Sequence, residues 1–231
     1  MSRCHGRVLP WLKKVRSVSD IPGDGRVGRY RRRLSGRRRP RRHYDSGMGA
    51  ARVRQAVDAD LPAIVDLQNV LLSTTTVEWT ETPHTVPERA DWLHRQRVLQ
   101  YPVLVAVAAS EVVGWCSFGD FRDTTKWPGY HYTVEHTIHV REDNQGNGVG
   151  RSLMTVLFAA AHSLGKHVMV GAVTGENEAS IRFHERLGFV EVARMPQVGA
   201  KFGRWLDLVL LQKRIDERES PPEVGQPTGP A

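Results

Sequence analysis

Gln145-Gly146-Asn147-Gly148-Val149-Gly150 decides how the rest of the chain is read. It follows an alternating, β-branched run, Thr133-Val134-Glu135-His136-Thr137-Ile138-His139-Val140, and opens an apolar-periodic run from Arg151 to His162. Strand, glycine turn and helix in that order form a phosphate-binding layout. The glycines permit positive φ and close approach of a ligand, and the first helical turn presents unpaired N–H groups at the positive end of the helix dipole. The two common nucleotide fingerprints are absent: the stretch lacks the G-x-G-x-x-G spacing, and no Gly-Lys-Ser/Thr follows it.

The chain in order predicts seven strands and four helices. A strand at Val53–Val57 precedes Asp58, a candidate N-cap, and a helix with Leu61, Ile64, Val65 and Leu67 turned inward. Ser73-Thr74-Thr75-Thr76 ends that helix, and Pro87 opens the next. Val103–Ala108 and Val112–Phe118 read as a hairpin joined across Ala109-Ser110-Glu111, and Gly119–His131 as a long polar and aromatic loop. After the glycine turn come a helix ended by Gly165, a strand His167–Val173 and a helix Asn177–Arg186 stopped at Gly188. Short strands at Phe189–Ala193 and Trp205–Gln212 close the order β-α-α-β-β-β-α-β-α-β-β, which suits a mixed α/β sheet with helices on both faces.

Charge divides the chain. Of 231 residues, the first 50 hold fifteen Lys/Arg and three Asp/Glu, a local +12 against +8 for the whole, so the remainder carries −4. The basic extension, residues 1–50, mixes arginine with glycine and proline and is expected to be disordered. So is the Pro/Gly-rich tail, residues 217–231. Residues 51–216 form one domain by this reading. The extension also has the composition of a transit peptide, or it precedes a start at Met48; the sequence leaves these open. Two cysteines in unlike contexts suggest no disulfide framework, no apolar run reaches about 18 residues, and no signal-peptide core is present, so a cytoplasmic, non-membrane protein is expected.

The glycine turn resembles the acetyl-CoA motif of the GCN5-related N-acetyltransferases: Gln or Arg, two free positions, Gly, one free position, then Gly or Ala. Gln145, Gly148 and Gly150 fill the fixed positions, and Glu176–Phe189 is similar to that family's second cofactor segment. Thr133-Val134-Glu135-His136 and Gly199–Asp207 resemble the phosphinothricin and methionine sulfone/sulfoximine acetyltransferases. The resemblance spans roughly Val53 to Arg214 and implies their fold, a mostly antiparallel central sheet flanked by helices. It implies acetyl-CoA as co-substrate, no metal, a small-molecule amine acceptor and a homodimer.

Residue by residue, it implies that the backbone of Ile138, His139 and Val140 runs beside the pantetheine arm. The N–H groups of Gly146, Asn147, Gly148, Val149, Gly150 and Arg151 would hold the pyrophosphate, and Asn177 would touch cofactor or substrate; as a plain helix residue Asn177 is an N-cap. Glu135, a carboxylate in a β-branched strand, is the candidate base, its pKa raised if it faces a cleft, against a solvated strand position. By alternation His136 faces the other way and is structural. His184 stands where relatives carry a tyrosine that donates a proton to the departing thiolate, or else it packs helix on sheet. In the long loop, Arg122 and Lys126 are candidate carboxylate ligands and Trp127 a pocket wall. Lys201–Trp205 is a pocket wall, a dimer contact or a strand-entry turn. Two other readings compete: acetylation of a protein N-terminus, which needs an open groove in place of the Trp127–His131 loop, and nucleic-acid binding by the Arg31–Arg42 arm.

Overall fold

The computed structural model describes residues 51–222; the expectations for residues 1–50 and 223–231 lie outside them. Seven strands form one sheet: β1 (Arg52–Gln55), β2 (Val103–Ala108), β3 (Glu111–Asp120), β4 (Thr133–Val140), β5 (Val168–Thr174), β6 (Val190–Lys201) and β7 (Arg204–Arg214). Among the described residues four α-helices accompany them: α1 (Leu61–Leu72), α2 (Val86–Val98), α3 (Val149–Ser163) and α4 (Glu178–Arg186). The sheet order is β1-β2-β3-β4-β5-β7-β6, antiparallel throughout except for the parallel pair β4–β5. The expected element order and mixed sheet are both present.

Strand alternation sends the two halves of the core to opposite faces. On one face Val103, Val105 and Trp115 pack with Leu61 and Ile64 of α1 and Leu93 of α2. On the other, the Cys116 thiol reaches the Leu153 carbonyl of α3, and a Cβ at Gly114 would come 2.9 Å from the His139 carbonyl oxygen and 3.3 Å from Leu153. Helix α2 starts where Thr85 and Glu88 cap each other, Thr85 N–H donating to Glu88 Oε2 at 3.0 Å and Glu88 N–H to Thr85 Oγ1 at 3.4 Å.

Two details differ from expectation. β6 is twelve residues long and runs through Pro196 and Gly199. Lys201–Trp205 therefore holds the two-residue hairpin turn that enters β7, Phe202 and Gly203 both having positive φ, in line with the strand-entry turn among its readings. Packing also reaches Arg218, which donates to Asp216 Oδ2 at 2.6 Å and to the Gly165 carbonyl at 2.8 Å. No helix among the described residues is long and apolar enough to cross a membrane.

Candidate active site

The parallel pair is where the sheet opens. β4 and β5 are in register from Thr133 opposite Val168 to His136 opposite Gly171, and no further. β4 continues to Val140 and β5 to Thr174, each still paired on its other side: Ile138, His139 and Val140 with β3, Ala172 to Thr174 with β7. The facing edges of Thr137–Val140 and Ala172–Thr174 are left with main-chain groups for a ligand to use. A cavity of about 550 Å³ lies across this split and takes walls from both sheet faces.

Below the split, β4 runs into the glycine turn. Gln145 Nε2 donates to the Val140 carbonyl at 3.0 Å and closes the loop. Gly146 and Gly148 take φ of 76° and 84°, and Gly148 caps α3 with no side chain to occupy its first-turn N–H groups. These donors and the dipole of a 15-residue helix suit a pyrophosphate. Arg151 is exposed on that turn and has no ion pair among the described residues. Gly150 has another reason for being glycine: a Cβ there would lie 3.1 Å from the Phe183 ring, so it lets α3 approach α4.

Glu135 lines the cavity on the α1/α2 face, with Thr137 and His139 beyond it. Burial raises its carboxyl above the ordinary range, and the Arg122 guanidinium draws it partly back. Its neighbour in β3 is Gly119, where a Cβ would meet nothing within 4 Å, so the space beside the carboxyl is open. Asn177 caps α4, its Oδ1 accepting from Ser180 N–H at 3.0 Å, which leaves the amide Nδ2 free for a ligand. His184 also lines the cavity, but its nitrogens face protein: Nδ1 lies 2.7 Å from the Ser180 carbonyl oxygen and Nε2 3.1 Å from His136 Nε2. His136 lies, as alternation requires, on the face opposite Glu135.

The candidates from the glycine turn, with Val140, lie outside the cavity lining, and so do the three loop candidates Arg122, Lys126 and Trp127. Asp123 Oδ1 accepts from the N–H groups of Thr125 at 3.0 Å and Lys126 at 3.3 Å, and this turn folds the loop onto itself. Lys126 then lies over Trp127, whose ring is 55% exposed, while Arg122 lies 4.5 Å from the Phe121 ring and acts on the site only through its charge.

The wall comes instead from the segment between α1 and α2, together with α2 and β3. Trp79, Trp92, Trp115, Arg89 and Glu78 line the α1/α2 side. Glu78 accepts from Gln68 Nε2 at 3.1 Å, sits 2.8 Å from His84 Nε2 and 3.2 Å from His139 Nε2, and His139 stacks on Trp115. Burial pushes the Glu78 carboxyl up, but His139, His84 and Gln68 outweigh it and bring it down to about 2. A carboxyl whose folded pKa is depressed stabilises the fold above its unfolded pKa of about 4.3, and that stability fades as pH falls toward 2. Glu78→Gln is expected to cost about 1–3 kcal/mol at pH 7 and to flatten the acid loss of stability between those values, as thermal melts from pH 2 to 7 would show. Lys201 holds this segment from the β6–β7 hairpin, Nζ donating to the carbonyls of Thr75 at 2.8 Å and Glu78 at 2.7 Å, and Trp79 lies flat on Gly199. No cluster of three or more His, Cys, Asp or Glu among the described residues is placed to hold a metal.

Comparison with known proteins agrees with this geometry. Residues 64–189 match the model of the Acetyltransferase (GNAT) family. The chain is 42% identical over 173 residues to the L-amino acid N-acyltransferase MnaT of Escherichia coli, covering 75% of this chain and 99% of that one. It is 44% identical over 174 residues to the L-methionine sulfoximine/L-methionine sulfone acetyltransferase of Pseudomonas aeruginosa, covering 75% and 99%. The structure of the Salmonella typhimurium acetyltransferase YncA, solved with acetyl-CoA, superposes with a TM-score of 0.72 at 42% identity, covering 76% of this chain and 99% of that one. A sheet split after its parallel pair, a glycine-capped helix below the split and these similarities together place the chain in the acetyltransferase (GNAT) family, as an enzyme that uses acetyl-CoA.

Proposed function

We propose that the protein acetylates the amino group of a small amino acid or analogue of the methionine sulfone, methionine sulfoximine or phosphinothricin type. The observation that carries the reading is the cavity across the β4–β5 split, with Glu135 at its edge and Trp79, Trp92 and Trp115 around it. A cavity of about 550 Å³ suits a thioester end and a small acceptor together. The names of the relatives point to amino acids, methionine sulfoximine and methionine sulfone.

Acetyl-CoA supplies the activated acetyl group. The chain's own part begins at the α3 N-terminus, where N–H groups from Gly146 to Arg151 hold the pyrophosphate. The free edge of Ile138–Val140 aligns the arm, and a main-chain N–H there is placed to stabilise negative charge developing on the carbonyl oxygen. Glu135 takes the proton of the acceptor ammonium, directly or through one water, and burial raises its pKa in the direction a base needs. The freed amine bonds to the carbonyl carbon, the C–S bond breaks, and the departing thiolate takes its proton from water. The aromatic wall excludes water and holds the acceptor's side chain. Thiol release from acetyl-CoA across the proteinogenic amino acids, methionine sulfone, methionine sulfoximine and phosphinothricin tests the reading. The expected result is turnover confined to a few small acceptors; turnover only on peptide N-termini contradicts it.

The partner we infer is a second copy of the chain. β6 is one of the two edge strands, and the hairpin exposes Val190, Val192, Val198, Phe202 and Trp205. Sedimentation at micromolar concentration is expected to find a dimer that Trp205→Glu dissociates; a monomeric wild type contradicts the assignment.

A further inference from the structure

His184 and His136 form a closed pair at the last rung before the sheet splits. Their rings lie 5.0 Å apart, and the residues are 2% and 6% exposed. The Ser180 carbonyl, 2.7 Å from His184 Nδ1, can only accept, so Nδ1 carries the proton. In a neutral ring His184 Nε2 is then a bare lone pair, and the group facing it at 3.1 Å is Nε2 of His136, which must donate. That choice leaves Nδ1 of His136 unprotonated, and Nδ1 is the atom of that ring with no hydrogen-bond partner. One contact thus fixes the tautomer of both rings, and neither ring of the pair has an N–H without an acceptor.

The surroundings reinforce the assignment. Phe189 packs on both rings at 5.5 and 5.2 Å, and Phe183 lies edge-on to His184 at 5.3 Å. From α4 the polar neighbour is Ser180, its hydroxyl 3.4 Å from His184 Nδ1; from β5 it is Gly171, which has no side chain. A Cβ on Gly171 would come 3.0 Å from His136 Nε2 and 3.2 Å from His184 Nε2, so the glycine makes room for the pair. Glu135, next to His136 in sequence, faces away across β4, and Glu185, next to His184, is exposed; Arg122 acts on Glu135 rather than on the rings. Burial lowers both imidazoles below the ordinary histidine range, and the charge of His184 further lowers His136. Protonating both rings would set two N–H groups face to face.

We propose that His136 is a positioning residue for acetyl transfer: it acts through His184, locking that ring as the neutral Nδ1–H tautomer at the apex of the split. A neutral pair keeps positive charge away from Glu135, whose basicity depends on burial. The consequence for turnover rests on the acetyl-transfer reading above; the tautomer assignment does not.

Long-range proton–nitrogen correlation spectra of protein labelled with 15N-histidine test the two separately. In the wild type, His184 is expected as the Nδ1–H tautomer and His136 as Nε2–H, neither titrating across the neutral range. His136→Phe keeps a ring in the space but removes the donor, so His184 should titrate about one unit higher, as loss of one hydrogen bond to the neutral form allows. At saturating acetyl-CoA the kcat profile should gain a limb at that new midpoint, with KM for acetyl-CoA unchanged. His136→Gln, whose amide can donate to His184 Nε2, should restore the wild-type titration. Finding His184 as the Nε2–H tautomer in the wild type overturns the proposal with no variant needed, and so does an unchanged His184 titration in folded His136→Phe. The spectra need no substrate, so an error in the acceptor assignment would show in the turnover assay while leaving them as described.

Discussion

Glu135→Gln is expected to lower kcat by about a hundredfold or more near neutral pH while acetyl-CoA binds as before. The substitution keeps the shape of the side chain and its place in β4, opposite Gly119 on one side and Val170 on the other, and removes only the capacity to take a proton. The pH dependence carries the same signature. A carboxyl raised by burial loses its basic form as pH falls through that raised pKa, so the acid limb of wild-type kcat/KM for the acceptor should lie above the ordinary glutamate value of about 4.3. That limb should disappear in the variant. A loss smaller than about threefold, with the limb in place, would mean that the enzyme relies on positioning and on amine already neutral in solution.

Gly148→Val should weaken acetyl-CoA binding by about tenfold or more, with little change in the fold's packing. The φ of 84° at Gly148 is costly for a β-branched residue, on the order of 1–3 kcal/mol, and the cheapest relief is to unwind the turn that presents the first N–H groups of α3. A Cβ there meets nothing within 4 Å, so the penalty falls on the turn and on the ligand that approaches it, not on the core. Gly150→Val provides the contrast. Its side chain would press on Phe183, 3.1 Å from the added Cβ, and it should lower the melting temperature first. Calorimetric titration with acetyl-CoA and thermal melts separate the two; unchanged affinity in folded Gly148→Val would remove this turn as the pyrophosphate site.

The element order could be read from the sequence because most strands and helices keep one clean face. Leu61, Ile64 and Val65 lie where a 3.6-residue period puts them, and Val103–Ala108 is apolar throughout because helices cover both faces. β6 escaped beyond Ala193 because an edge strand with Pro196, Gly199 and two register shifts leaves most of its residues exposed and shows no alternation. Glu135 was visible as a carboxylate out of place in a β-branched strand. Glu78 was not, because it stands in an irregular stretch that it shares only with His84, while its partners Gln68 and His139 come from α1 and β4. The loop candidates Lys126 and Trp127 rest on their chemistry alone, and the Asp123 turn that directs them outward depends on side-chain bonds that composition does not reveal. For His136, alternation gave the correct face but could not show the ring of His184 waiting behind it.

The most direct test of the central claim is a crystal structure with acetyl-CoA and an unreactive methionine sulfone analogue bound together. The account predicts the pyrophosphate on the main chain of Gly146–Arg151, the pantetheine arm between the free edges of Thr137–Val140 and Ala172–Thr174, and the acceptor nitrogen within a hydrogen bond or one water of Glu135. An acceptor seated away from Glu135, or a coenzyme that does not enter the split between β4 and β5, would contradict it.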